Sequence, residues 1–406
     1  MELKKGFKRT DFGIIPDDWD VKVFSDVMDG FSSGQTPYRA IKRYYSGNIP
    51  WITSGELNYN IITETNENIT KDAVKDTSLK IIPKGTFLFA ITGLEAAGTR
   101  GSCAITGIEA TSNQSCMALY PKAGKLTTEF LFHFYVMYGD KLAFEYCQGT
   151  KQQSYTGAIA KKLPIILPSN IEEQIAISSA LSDVDNYIKS LVKLINKKRQ
   201  IKYGAMQELF EPKEGWQRKK LGDIADVVSG GTPSSFVPEY WNGEINWFSP
   251  TEIGSEKYSF ESVRKISKLG LANSSAKILP IGAILLTTRA GIGDLSILKI
   301  EAATNQGFQS LVVKEGNHNE FVYYLMHILR SELIKNASGS TFLEISPSKV
   351  RAIEVVVPRY DQQVEIAVIL SDIDRELQIL EHKLQKAKSI KLGMMQNLLT
   401  GKIRLV

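Results

Sequence analysis

Cysteine is scarce in this chain of 406 residues: there are three, Cys103, Cys116 and Cys147, with no C-x-x-C spacing. An odd, scattered set argues against a disulfide framework and fits reduced thiols in a cytoplasm. The histidines are few as well, and His133, His318, His327 and His382 show no metal-ligand spacing. Long apolar runs are missing. No window approaches the roughly 18 residues a membrane-spanning helix needs, and "MELKKGFKRT" has no apolar segment of the signal-peptide kind. The expected location is the cytoplasm, without membrane contact. Charge of one sign is also not in large excess. Lys and Arg number 49 against 44 acids, a formal net charge of +5, which permits nucleic-acid binding without requiring it.

Recognisable catalytic patterns are absent in turn. "GLEAAGTR" places Thr99 where a phosphate loop needs its lysine. "PDDWDVK" offers Pro16-Asp17 and Asp20-x-Lys22, but nuclease acids of that type stand far apart, and the related "PKEGWQR" lacks them. None of the 14 prolines are adjacent, which removes the Asn/Asp-Pro-Pro-aromatic loop of adenine methyltransferases. No G-x-S-x-G nucleophile elbow occurs. The chain is expected to be non-catalytic and to bind no cofactor or metal itself.

What is present is a repetition. "GNIPWITSGEL" at 47–57 returns as "GEINWFSPTEI" at 243–253, with Gly47, Trp51 and Glu56 reappearing as Gly243, Trp247 and Glu252. "WDVKVFSD" matches "WQRKKLGD", "SGQTP" matches "GGTP", "TSNQS" matches "ATNQG" and "FLFHFYVM" matches "FVYYLMHI", always in the same order. Such a pattern is a duplication, not a solenoid. Each copy opens with short β-like runs such as "TFLFAIT", "LPIILP" and "AIEVVVP", punctuated by Gly, Pro and Asn, and carries one helical candidate. The expected fold class is α+β, with two homologous mixed α/β domains at 1–168 and 211–358. Trp51 falls in the alternation Ile49, Trp51, Thr53 and reads as a core residue.

A long proline-free helix follows each domain, at 169–210 and 359–401. The first opens on Ser169-x-x-Glu172, the form of a capping box. Its apolar seam runs Leu181, Val184, Ile188, Leu191 and Ile195. The second seam runs Leu370, Ile373, Leu377, Leu380 and Leu384. The spacing averages 3.5, the coiled-coil signature. The economical arrangement pairs the two helices antiparallel about a pseudo-twofold axis. Lys202 and Lys391 interrupt both seams at the same heptad position, where the pairing is expected to loosen. Gly204 and Gly393 match as well, and a close neighbour or a shared kink would account for them.

The copies differ most in their loops. "YRAIKRYY" faces "SSFVPEYW", "TGLEAAGTRG" faces "TRAGIGDLS" and "KQQSYT" faces "TFLEIS". These segments carry groups that hydrogen-bond to base edges or phosphates. The candidate DNA contacts are Gln35, Thr36, Arg39, Lys42, Arg43, Tyr44, Arg100, Lys151, Gln152, Gln153 and Tyr155 in the first copy. In the second they are Thr232, Ser234, Ser235, Tyr240, Thr288, Arg289 and Thr341. Asn113-Gln114 and Asn305-Gln306 recur in both copies and read as a structural turn.

The order "GIIPDDWDV", "GGTPS", "TNQGFQSLV", "SGSTFLEISPSKVRAIEVVVP" and "LLTGKIRL" resembles the specificity subunit of Type I restriction–modification systems, over essentially the whole chain. The resemblance implies two target recognition domains, each reading half of a bipartite site in double-stranded DNA. It further implies helices that set the spacer and dock two methyltransferase (modification) subunits, with restriction/translocase subunits joining the complex. S-adenosylmethionine, ATP and Mg would belong to those partners. Two other readings stand beside it: an autonomous DNA nuclease or methyltransferase with a cryptic site, and a coiled-coil protein scaffold.

Overall fold

A computed structural model describes residues 5–95, 99–149, 153–289, 291–339 and 343–405. The chain divides into two compact units, Met1–Val192 with Lys383–Val406, and Lys193–His382.

The first unit is built on a five-stranded sheet in the order Met28–Ser33, Cys116–Pro121, Phe87–Ala90, Cys103–Thr106, Asn60–Ile62. All neighbours are antiparallel except the last pair. "FLFA" and "CAIT" are buried at every position, which is why these strands read as apolar runs without alternation. Thr127 caps the helix Thr128–Tyr146 by accepting the Phe130 amide at 3.2 Å. That helix sets Tyr135 edge-on against Phe87 and Phe89, at 5.5 and 5.3 Å between centroids. A smaller sheet places Ile49–Ile52 between Thr111–Ser112, parallel, and Glu67–Ile69, antiparallel.

The second unit repeats this topology strand for strand. Its larger sheet runs Ala225–Ser229, Gln309–Val313, Ile284–Leu286, Leu295–Leu298, Tyr258–Ser259, again with only the last pair parallel. Its smaller sheet places Trp241–Phe248 between Ala302–Thr304, parallel, and Arg264–Ile266, antiparallel. The duplication in the letters is thus a duplication of the fold, mixed α/β in both copies.

The two long helices span Ile171–Leu209 and Tyr360–Leu398, 39 residues each, or about 58 Å at about 1.5 Å per residue. Each unit contains a stretch of both, running antiparallel. In the first unit Ile177 and Leu181 join the core with Met395, Leu398 and Leu399. Farther along, Asp185 pairs with Lys391 at 2.6 Å. In the second unit Met206 and Phe210 pack with Ile366, Ala367 and Leu370. There Lys202 pairs with Asp374 at 2.5 Å, and Lys198 with Glu376 at 2.5 Å. Leu181, Leu191, Ile195, Leu370 and Leu377 are buried. Val184, Ile188, Ile373, Leu380 and Leu384 are half-buried.

Three details differ from the sequence reading. The seam does not loosen at its lysines, because each is met by an aspartate at the matching position of the other helix. The Ser169/Glu172 capping box does not form. Ser169 donates instead to the Asp18 carbonyl at 2.9 Å, drawn there because Pro164–Pro168 pairs with Trp19–Val23, and Asn170 Oδ1 accepts the Glu172 amide at 2.8 Å. A Cβ at Gly204 or Gly393 would meet nothing within 4 Å, so no neighbouring segment of the chain presses on either.

Candidate nucleic-acid interface

The variable loops are held by a device built twice. In the first unit the Trp51 indole donates to the Gln35 carbonyl at 3.1 Å and the Tyr45 hydroxyl to the Pro37 carbonyl at 2.5 Å. In the second, the Trp247 indole donates to the Gly231 carbonyl at 2.9 Å and the Trp241 indole to the Ser234 carbonyl at 3.1 Å. The two rings of each pair meet edge to face, with centroids 5.8 and 5.2 Å apart. Two aromatic donors therefore fix the backbone of each loop, which lowers the entropy lost when its side chains engage a ligand. Trp51 and Trp247 are buried, as the alternation around Trp51 predicts.

The recurring Asn-Gln turn joins each loop to its neighbours. Asn113 Oδ1 accepts the Ser115 amide at 3.1 Å and Asn305 Oδ1 accepts the Gly307 amide at 2.8 Å, so both asparagines stabilise their own turn. Gly34 and Gly230 lie against these turns so closely that a Cβ would stand 1.9 Å from the carbonyl oxygens of Ser112 and Asn305. Only glycine fits there. Thr36 then donates to Gln114 Oε1, and Thr232 to Gln306 Oε1. Both glutamines are exposed, and their amide donors have no partner among the described residues. The Ile91 amide reaches the Ser115 carbonyl at 2.9 Å and the Thr288 amide the Gly307 carbonyl at 2.8 Å, tying the next loop to the same turn.

The candidate residues divide accordingly. Gln35, Lys42, Arg43, Thr232, Ser234 and Ser235 are exposed, and Thr36, Gln153 and Tyr240 are partly so. Arg39 is exposed but committed: its guanidinium binds both Glu67 oxygens, at 2.5 and 2.9 Å, and lies over Tyr45 and Trp51, at 4.4 and 5.0 Å from the ring centroids. The hydrogen bonds from Arg39 hold the Glu67 carboxyl below its ordinary range. Arg100 folds back on its loop, donating to the Leu94 carbonyl at 3.0 Å, and Arg289 pairs with Glu344 at 2.9 Å. Three candidates are internal. Tyr44 is buried and donates to Asp76 at 2.6 Å, Tyr155 is buried beside Phe89, and Thr288 is buried with its hydroxyl on the Gly307 carbonyl at 3.1 Å. They support the loops from beneath, and their place in polar loop sequences gave no sign of it. Lys151, Gln152 and Thr341 lie outside the described residues.

One residue escaped the sequence reading. Arg264 is exposed on the small sheet of the second unit, with its guanidinium carbon 3.7 Å from the Trp241 centroid and 5.6 Å from that of Trp247. The signal was available: Trp247 faces Arg264 in strand register as Trp51 faces Glu67.

A second pair of polar clusters lies where the long helices meet each unit. In the first, His133 Nε2 is 3.1 Å from Ser182 Oγ, close to the Asp185–Lys391 pair, and burial pushes the imidazole down to about 4. In the second, Lys257 donates to Glu320, Tyr324 and Ser371 at 3.0, 2.9 and 2.8 Å, while Tyr324 donates to Asp374 at 2.6 Å. Burial would raise the Glu320 carboxyl, but hydrogen bonds from Tyr258, Ser371 and Lys257 prevail and hold it at about 2. Burial also lowers His327, to about 4. Lys257, Glu320, Tyr324, Ser371 and Asp374 satisfy one another in the manner of a structural network, whereas His133 Nδ1 and His327 Nε2 are buried without a hydrogen-bond partner among the described residues. Two of the three acids of "PDDWDVK" are likewise occupied, since Arg404 grips Asp18 at 3.0 and 2.8 Å and Lys22 lies 3.4 Å from Asp20, while Asp17 is exposed. Among the described residues there is no group of three or more potential ligands that could hold a metal ion, and no helix is long and apolar enough to cross a membrane.

Comparison with known proteins agrees with this architecture. The family model of the Type I restriction modification DNA specificity domain matches residues 16–202 and again 213–389. The chain is 36% identical over 190 residues to the Type I restriction enzyme MjaIX specificity subunit of Methanocaldococcus jannaschii, covering 46% of this chain and 44% of that protein. It is 25% identical to the putative MjaX specificity subunit of the same organism, across 99% of this chain and 97% of the relative. The matched part thus spans less than half of the first relative and nearly all of the second. Its fold is similar to the crystal structure of a Type-I restriction-modification system S subunit from M. genitalium, with a TM-score of 0.62, 16% identity and 98% of each chain covered. With two matches that together take in most of its length, the chain belongs to the Type I restriction–modification DNA specificity family.

Proposed function

We propose that this chain, a DNA specificity subunit of a Type I restriction–modification system, reads a bipartite site in double-stranded DNA, one half with each unit. The observation that carries this reading is the doubled loop device. Two units of one topology hold their loops by the same aromatic donors, Trp51/Tyr45 and Trp247/Trp241, yet fill those loops with different side chains. Equal scaffolds with unequal loops suit two unlike half-sites. Lys42 and Arg43 in the first unit, and the amide donors of Gln114 and Gln306 in both, are the groups best placed to contact DNA.

The long helices set the spacing between the half-sites and dock two adenine-N6 methyltransferase subunits. Those subunits would carry S-adenosylmethionine, and restriction/translocase subunits would bring ATP and Mg. The chain itself supplies recognition and no chemistry, within the cytoplasm.

Domain exchange tests the reading. Replacing residues 1–168 by the corresponding segment of another family member should change one half of the methylated motif and leave the other half and the spacer intact. A change in both halves would refute the assignment of one half-site to each unit.

A further inference from the structure

We propose that Arg264 is a DNA-contacting residue of the second unit, its guanidinium binding an acceptor-rich group of the duplex. That group is a phosphate oxygen or the O6/N7 edge of a guanine. The inference rests on the reading above and adds to it a residue that the sequence pattern did not single out.

Both units share one aromatic corner. In the first unit the guanidinium over the rings comes from the loop, as Arg39, and Glu67 stands on the neighbouring strand opposite Trp51. In the second unit the loop position matching Arg39 is Ser235, and the strand position matching Glu67 is Arg264. The guanidinium has thus changed its origin in the backbone while keeping its seat on the aromatic pair. Its electrical situation has changed too. Arg39 spends both arms of its fork on a carboxylate. Arg264 has no ion pair among the described residues, and it is exposed.

A cation without a carboxylate has donors to offer. Stacking on Trp241 restrains the guanidinium plane without using its N–H groups, so the fork is oriented before a ligand arrives. A planar fork of this kind suits phosphate and guanine equally. The surroundings fit a nucleic-acid surface. Trp241 itself pins Ser234, and the same loop carries Thr232, Ser235 and Phe236, whose ring is 94% exposed. Gluing the aromatic corner together does not require a free charge, because the first unit does so with a neutralised one.

The test uses the chain assembled with its methyltransferase partner, a duplex carrying the mapped methylation site, and a set of duplexes with each site base changed in turn. Binding is titrated against salt for wild type, Arg264→Ala, Arg264→Lys and Arg39→Ala, with thermal melting of each protein alongside. Arg264→Ala should bind roughly 10-fold to 100-fold more weakly while melting with wild type. Arg39→Ala should mainly lower the melting temperature, because it strands Glu67.

A phosphate contact would show as uniform weakening across all duplexes, with the salt slope reduced by about 0.9 and largely restored in Arg264→Lys. A guanine contact would show as lost preference at one position of one half-site, which lysine does not restore. Either pattern supports the proposal. A wild-type complex with no sequence preference would overturn the specificity reading and this inference with it. A specific wild-type complex whose Arg264→Ala variant keeps affinity, salt slope and base preference overturns this inference alone. So does weakened binding by Arg264→Ala that Arg264→Lys reproduces only in step with a lowered melting temperature.

Discussion

Replacing Lys391 by methionine probes how the long helices are kept in register. Lys391 Nζ lies 2.6 Å from Asp185, and the two side chains are 21% and 22% exposed. At an effective dielectric constant of about 20 the bare attraction at that distance is about 6 kcal/mol, most of it offset by desolvation. Removing the cation leaves a mostly buried aspartate unpaired. Full burial would cost 3–5 kcal/mol, and the remaining exposure reduces this to about 2 kcal/mol. For a unit of about 200 residues that lowers the melting temperature by roughly 4–8 °C. Asp185→Leu combined with Lys391→Leu should recover most of the loss, since an apolar seam does not need the charges. Because Asp185 also faces His133, the Lys391→Met penalty should shrink as the pH falls, when the imidazole takes up a proton in place of the lysine. Differential scanning calorimetry of wild type, Lys391→Met, Asp185→Leu and the double variant measures all of this. If Lys391→Met melts with wild type, or the double variant loses as much as the two single variants together, the ion pair does not hold the seam.

Further expectations concern acid, glycine, the indoles and helix length. His133 and His327 have folded values of about 4 against an ordinary value of 6.5, so the unfolded chain binds more protons between those limits. Stability should therefore decline as the pH drops from 6.5 to 4, by up to about 3 kcal/mol for each group, and His133→Gln should flatten the profile of the first unit in urea titrations. Gly204→Ala and Gly393→Ala should each stabilise the free chain by about 1 kcal/mol, because a methyl group there meets nothing. If partner subunits pack on those positions, the same variants should assemble more weakly in pull-down titrations. Trp51→Phe should leave the Gln35 carbonyl unpaired, costing about 1–2 kcal/mol, and should blur only the half-site read by the first unit in methylation maps. Lengthening both long helices by the same whole number of turns should change the spacer of the recognised site and spare both halves.

The duplicated letters foretold the doubled topology, and the 3.5-residue seam foretold the antiparallel helices, because both signals are carried by residues that touch near neighbours or repeat at fixed spacing. The loops were less legible. Tyr44, Tyr155 and Thr288 sit in polar segments and look like surface groups, yet each turns inward, a matter of loop geometry that no local periodicity records. Arg39 looked free until Glu67, 28 positions away, claimed its fork. Arg264 passed unnoticed because its partner Trp241 lies on another part of the same small sheet, across a register shift in the strand pairing. The lysines in the seam looked like defects because their aspartates lie on the other long helix, far away in sequence.

The central expectation is two separate readings of DNA by one chain. Mapping methylated adenines across the genome of cells that express this chain with its methyltransferase partner measures that directly. The expected motif has two short defined halves around a nonspecific spacer of constant length, and altering residues 38–45 should change one half while altering residues 234–241 changes the other. A single unbroken motif, or one half that responds to both alterations, would contradict it.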